Sequence, residues 1–251
     1  MTLHSTRQVN PDPIGSETLK RIYRMRRLND WMWSRIHPWV GRRVLEAGCG
    51  NGTMTEYLLD REFVVCVDVN PVHLEKLVER YKERPNLTVR HLDLSDSRLV
   101  ECAAHHIDTI ACLNVLEHIQ AHETVLDSFF RVLEPGGRLV LLVPAHPALF
   151  GTLDVALKHV RRYSKSDLFD LLARTGFVVE HHSYLNTFGI LGWWLNGKVL
   201  KRRILPQRQL DLYEKLVPVF AWLERLIGQS LGLSHVIVGR KPVSEDPTHS
   251  V

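Results

Sequence analysis

The sequence predicts an α/β fold built on a doubly wound, mostly parallel sheet, and three observations carry that prediction. First, Val44-Leu45-Glu46-Ala47-Gly48-Cys49-Gly50-Asn51-Gly52-Thr53 runs from an apolar pair through an acid into three alternating glycines. Met54, Tyr57, Leu58 and Leu59 follow at helical spacing, so the stretch reads as strand, tight turn and helix. Second, strand-like and helix-like segments alternate from there to His181, the pattern of a parallel sheet with crossover helices. Third, Phe63 to Val67 is continuously apolar, as expected of a strand covered on both faces.

The elements follow in order. Arg43 to Ala47 is the first strand and Phe63 to Val67 the second, ending in Asp68. Pro71 suits the first turn of a helix over Val72 to Glu83. Leu87 to Leu92 is a third strand followed by Asp93, and Ile107 to Leu113 a fourth ending at Asn114. A helix over His122 to Leu133 is closed by Pro135-Gly136-Gly137, and Arg138 to Val143 is a fifth strand stopped by Pro144. Ser166 to Arg174 is a helix with Gly176 as its cap, and Phe177 to His181 a sixth strand. A last strand-like run spans His235 to Gly239.

Caps flank this core. Residues 1–16 and 242–251 are expected as flexible tails, the first because Pro11-Asp12-Pro13 discourages helix. Residues 17–40 form a basic helical cap carrying Trp31, Trp33 and Trp39, read either as packing on the sheet edge or as a lid over substrate. Residues 41–184 form the α/β core, 185–232 a helical insert and 233–241 the last strand. In the insert, Leu212, Leu216, Phe220, Leu223 and Ile227 share one face. Before it, Lys198, Lys201, Arg202, Arg203 and Arg208 gather without an acid beside Trp193-Trp194. This is either a solvated edge or, over 193–208, a peripheral contact with anionic lipid.

Composition bounds the function. The 251 residues are 45% hydrophobic and 24% charged, ordinary for a globular chain. The net charge of +4 is too small to argue for nucleic acid, and no nucleic-acid module is visible. The four cysteines form no zinc-ligand pattern. With no secretory start, and with Ser183 to Gly197 too short and too interrupted to span a bilayer, a cytoplasmic protein is expected.

Two ligands compete for the glycine loop. A dinucleotide wants G-x-G-x-x-G and an acid about twenty residues on, which Asp68 could supply. Here the glycines run G-x-G-x-G and Glu46 stands directly before them. That acid would repel a pyrophosphate and suits an ammonium group. Asp68 is placed to accept from ribose hydroxyls, and Asp93 from an exocyclic amine, all at strand carboxyl ends.

Taken with Val-Cys-Val-Asp-Val-Asn-Pro, Leu-Asp-Leu, Leu-Asn-Val-Leu-Glu-His and Leu-Glu-Pro-Gly-Gly-Arg-Leu, the loop resembles that of the class I S-adenosylmethionine-dependent methyltransferases, over about residues 40–180 and the last strand. The resemblance implies a Rossmann-like, seven-stranded sheet with an antiparallel last strand. It implies S-adenosylmethionine as cofactor: Glu46, Ala47, Gly48, Gly50 and Gly52 at the methionine part, Asp68 and Val69 at the ribose, Asp93 and Leu94 at the adenine, and Asn114 near the sulfonium.

Methyl transfer from a sulfonium expels a neutral group, so alignment and exclusion of water are the protein's main tasks. A base serves only an acceptor that must lose a proton. Candidates cluster as Glu117 and His118, after the fourth strand, and His146, Asp154, His159, Arg161, Arg162 and Tyr163, after the fifth; His118, His146, Asp154, His159 and Tyr163 are taken as the catalytic set. The segment 145–163 is long for a βα connection and reads as a substrate loop. Its Phe-Gly-x-Leu-Asp and His-x-Arg-Arg-Tyr patterns resemble a bacterial branch of small-molecule methyltransferases. Asp154 and His159 could equally pair to pin the loop, and Arg161 or Arg162 could bind an acidic acceptor or face water. His118 and His122, flanked by Glu117 and Glu123, are four apart, but no metal is expected, since methyl transfer needs none. The doublets His105-His106 and His181-His182 read as surface. A small-molecule acceptor is expected, with oxygen favoured by analogy. A cofactor-binding module without catalysis, and an N- or C-methyltransferase, stay open.

Overall fold

The computed structural model describes residues 13–243. Residues 1–12 and 244–251, most of the two expected tails, lie outside them. The chain opens with α1 (Pro13–Arg24) and α2 (Arg26–Ile36), broken at Met25, whose backbone is not helical. Pro13 thus starts a helix that the tail prediction had begun at residue 17; the first helical position has no hydrogen bond for a proline to break.

The sheet has seven strands: β1 (Arg43–Ala47), β2 (Phe63–Asp68), β3 (Leu87–His91), β4 (Ile107–Leu113), β5 (Leu133–Pro144), β6 (Val178–Leu185) and β7 (Ser234–Arg240). Their order is β3-β2-β1-β4-β5-β7-β6. The first five run parallel, with Leu45 opposite both Val65 and Ile110. β7 enters between β5 and β6 antiparallel to both, placing Leu141 opposite Ile237. β5 starts earlier than its apolar run because the backbone at Gly136 and Gly137 pairs with Lys241 beyond β7.

α3 (Thr55–Leu58) follows the glycine loop, α4 (Pro71–Tyr81) joins β2 to β3, and α5 (His122–Val132) joins β4 to β5. Asn70 caps α4 by accepting from the Val72 N–H at 3.0 Å. α6 (Thr152–Ala156) and α7 (Lys165–Arg174) lie between β5 and β6, and Ser164 caps α7. A 3₁₀ segment over Ser97–His105 was not foreseen; its buried Leu99 and Cys102 stand three apart, a period too brief to announce a helix. One face of the sheet buries Leu45, Ile110, Leu126, Phe129 and Leu141. The other buries Val44, Val64 and Leu77 at one end, and Trp31, Val140, Val217 and Val236 at the other.

The insert holds α8 (Gly189–Trp194), a π turn over Leu195–Val199 and α9 (Gln207–Ile227). The expected apolar face of α9 is corrected. Leu212, Leu216 and Ile227 are exposed, and Tyr213, Val217 and Phe220 pack inward. The helix is apolar on two sides, so periodicity alone could not choose. Polar anchors choose: Glu214 accepts from the Arg27 and Leu28 N–H groups of α2, and buried Glu224 pairs with Arg35 at 3.1 Å.

Candidate active site

The three alternating glycines all take positive φ: 78° at Gly48, 53° at Gly50 and 83° at Gly52. A Cβ on Gly48 would run into Val115, just after β4, so this turn presses against the end of the neighbouring strand. The Gly48 and Cys49 N–H groups donate to the Val67 carbonyl. Asp68 clamps the loop, one oxygen accepting from the Gly50 N–H at 2.7 Å and the other from the Asn70 N–H at 2.8 Å.

Glu46 lies buried beneath this cradle, accepting from the Thr55 hydroxyl at 2.6 Å and facing the Cys66 thiol at 3.5 Å. Burial pushes its carboxyl up to about 7. Ala47 is buried beside it, and Val69 is exposed past β2. Asp93 is exposed, with one oxygen on the Ser95 N–H at 2.8 Å, while Leu94 is buried. Asn114 is exposed at the end of β4 with φ 55°. These predicted cofactor positions line the carboxyl ends of β1, β2, β3 and β4.

α1 lies over the cradle. Asn51 Nδ2 donates to the Leu19 carbonyl at 3.1 Å, and Leu19 is the nearest side chain to Gly50. Arg21 donates to the Leu205 carbonyl, so the two caps meet here. Of the two readings of the tryptophans, packing is what the structure shows, and the segment nearest the glycine turn is α1. Trp31 is core, Trp33 tilts against Tyr57, and Trp39 stacks on His181 at 4.9 Å.

The predicted catalytic residues divide. Asp154 is fully buried in α6. It accepts from His159 Nδ1 at 2.9 Å, Arg162 Nε at 2.7 Å, Trp193 Nε1 at 3.0 Å and the Gly151 N–H at 3.0 Å. Burial alone would raise its carboxyl; the His159 bond and the Arg162 charge outweigh that and hold it low. Asp154 therefore pins the loop and α8 and has no capacity left for substrate. His159 Nε2 is thereby turned toward Glu117 Oε1, 3.9 Å away, and the His118 ring meets His159 edge-on at 4.8 Å. His118 is exposed.

Tyr163 and His146 stand apart from this corner. The Tyr163 hydroxyl is buried on the Leu116 carbonyl, 3.0 Å from His122 Nδ1, and burial raises its pKa. His146 bonds the Gly232 carbonyl at 3.0 Å and stacks on Tyr184. Arg161 donates to the Ile119 and Gln120 carbonyls and to the Gln120 side chain, so it does not simply face water. His181 and His182 are half-buried rather than surface groups, and His182 bonds His235 at 3.0 Å.

Glu117, a base candidate by its place after the fourth strand, was not carried into the catalytic set. It is 1% exposed, its Oε2 has no hydrogen-bond partner, and burial pushes its carboxyl up to about 8. Its place in Leu-Glu-His was visible in the sequence. Its approach to His159 depends on the return of a loop about forty residues later, held by the Val160 N–H to Glu117 carbonyl bond.

A seven-stranded sheet with this strand order, a glycine cradle after β1 and an acid after β2 defines the class I methyltransferase fold. Solved structures agree on the fold. An S-adenosylmethionine-dependent methyltransferase from Mesorhizobium loti matches with a TM-score of 0.58 at 14% identity, over 84% of this chain and 97% of that one. The N-methyltransferase NodS from Bradyrhizobium japonicum, in complex with S-adenosyl-L-homocysteine, matches at 0.55 and 16%, over 93% and 94%.

The family model described as "Methyltransferase domain" matches residues 19–182, and the chain belongs to that family. A probable S-adenosylmethionine-dependent methyltransferase of Mycolicibacterium smegmatis is 29% identical over 61% of this chain and 59% of its own length. A ubiquinone biosynthesis O-methyltransferase of Pseudomonas fluorescens is 26% identical over 44% and 47%. A tRNA U34 carboxymethyltransferase of Pseudomonas aeruginosa is 36% identical over 45% and 36%. The chain thus spans about half the length of the curated relatives it matches. The family's cofactor is S-adenosylmethionine, and the residues present are compatible with it: a glycine turn of positive φ with buried Glu46 beneath it and Asp68 holding the Gly50 N–H.

Proposed function

We infer that this chain transfers the methyl group of S-adenosylmethionine to an oxygen of a small, hydrophobic or lipid-linked acceptor. The observation that carries this reading is the contact between the glycine cradle and the end of β4. Val115 abuts Gly48, and Glu117 and His118 follow immediately. Cofactor cradle and polar corner are therefore neighbours, as transfer between two bound molecules needs.

The cofactor supplies an electrophilic methyl group with a neutral leaving group. The cradle and Asp68 fix its orientation, and α1 covers it from water. The acceptor hydroxyl's proton is taken at the corner formed by Glu117, His118 and His159, where Asp154 holds the His159 ring. Relatives named as ubiquinone biosynthesis O-methyltransferases favour oxygen and an apolar acceptor.

The outer surface supports a membrane-bound source of acceptor. Leu191, Trp194, Val199 and Leu200 are exposed beside exposed Lys198, Lys201 and Arg203. Trp193 is not part of this surface, because it turns inward to Asp154 and Arg162. Among the described residues no helix is long and apolar enough to cross a membrane, and the reading is of a peripheral contact through these exposed groups. Four buried free cysteines accord with a reducing, cytoplasmic location.

Calorimetry should show S-adenosylmethionine and S-adenosylhomocysteine binding, weakened roughly 10–100-fold in Asp68→Ala by loss of a charge-assisted contact. Mass spectrometry of cell extract incubated with cofactor carrying a deuterated methyl group should then reveal a labelled lipid-soluble product. Binding without any labelled product would make the chain a cofactor-binding module, and no binding by the folded chain would remove both readings.

A further inference from the structure

The corner beside the cradle has the composition of a metal centre. Glu117, His118 and His159 each offer a ligand atom, and these atoms all lie within 4.8 Å of one another. Donors bound at about 2.0–2.2 Å in tetrahedral geometry stand roughly 3.4 Å apart. The 3.9 Å between Glu117 Oε1 and His159 Nε2 closes to that by small side-chain rotations.

Two further observations point to a ligand. Glu117 Oε2 is buried with no hydrogen-bond partner, a costly arrangement for a carboxylate unless something cationic meets it. His159 Nδ1 is committed to Asp154, so Nε2 carries the lone pair facing Glu117. A carboxylate behind a histidine fixes tautomer and orientation in metal sites. Arg162, the neighbouring cation, spends its hydrogen bonds on Asp154 and the Ala145 carbonyl. His122, the histidine considered with His118 from the sequence, stands beside Tyr163 instead. The metal partner is His159, from forty residues further along the chain.

We propose that Glu117, His118 and His159 bind one divalent transition-metal ion, zinc or a similar borderline cation, with Asp154 orienting His159. Two imidazoles and one carboxylate select such ions over magnesium or calcium, which prefer oxygen. Three protein ligands leave a coordination position open, and exposed His118 puts it on the solvent side, toward the acceptor. A hydroxyl or carbonyl oxygen of the acceptor can fill it, and a hydroxyl so bound gives up its proton more readily. The inference extends the methyl-transfer reading, but metal binding is measured apart from cofactor binding and turnover.

The full chain, stripped with chelator and dialysed against zinc, should retain one equivalent after desalting, read by atomic emission. Cobalt should replace it and give visible absorption bands. His118→Ala, at an exposed position, and Glu117→Gln should fall to background while still binding S-adenosylhomocysteine, which shows that they are folded. Asp154→Asn should bind about 10–100-fold more weakly. His106→Gln, at an exposed histidine elsewhere, should retain the full equivalent. Sub-stoichiometric zinc in the wild type, undiminished binding in His118→Ala, or equal loss in His106→Gln would overturn the proposal. A wild-type chain that binds S-adenosylhomocysteine but retains no zinc would overturn it and leave the methyl-transfer reading standing.

Discussion

We propose that Glu46 couples cofactor binding to pH. Its carboxyl is raised from 4.5 to about 7 by burial, so the folded chain holds a proton there that the unfolded chain releases. Between those two values stability without cofactor should fall as pH rises, because the folded state binds more protons. An ammonium group at the cradle favours the carboxylate, so S-adenosylhomocysteine affinity should climb through pH 7 and then level. Calorimetry across pH 5.5–8.5 reads this directly, and a slope that survives in Glu46→Gln would assign it elsewhere. Gly48 carries a steric prediction. Gly48→Ala combines positive φ with collision against Val115 and should cost about 2–4 kcal/mol in urea unfolding. Both residues were legible in the sequence: an acid before G-x-G-x-G states its chemistry locally. Glu117 was legible as a candidate, but its burial and its approach to His159 were not, because both are consequences of chain return.

Among the elements, α9 decides how the caps sit. Glu224 is fully buried, pairs with Arg35 of α2, and accepts from the Thr187 N–H and hydroxyl. Glu224→Ala strands Arg35 without its buried partner and should destabilise by about 3–5 kcal/mol in chemical denaturation. Glu214 satisfies two N–H groups at the start of α2 from another helix. No local capping pattern in the sequence betrays that bond, which is why one basic helix was expected where two stand. α1 lies on the glycine loop through Leu19 and Asn51, so cofactor exchange should follow its motion. Asn51→Ala should raise the dissociation rate of S-adenosylhomocysteine in stopped flow, while a change confined to association would argue against a lid.

For the whole molecule, exposed apolar groups on α8 and α9 accompany exposed basic groups on the segment between them. Leu212, Trp222 and Leu226 of α9 are exposed, as are Leu191 and Leu200 at α8 and just beyond. Lys198, Lys201 and Arg203 add positive charge. Vesicles containing phosphatidylglycerol should co-sediment the protein, and neutralising these three residues should weaken binding by about 3 kcal/mol, at roughly 1 kcal/mol each. Binding indifferent to anionic lipid would leave these groups without the assigned role.

The sequence by itself determined the sheet, the glycine turn and the acids at the strand ends, since each is written within a few consecutive residues: period, glycine spacing, an acid after an apolar run. The tertiary structure alone decided which face of α9 is buried, that α1 rather than the tryptophans covers the cradle, and that Asp154 is a brace. It also brought Glu117 to His159. Those outcomes depend on segments distant in sequence meeting and desolvating one another, and neither hydrophobic periodicity nor local spacing encodes a partner.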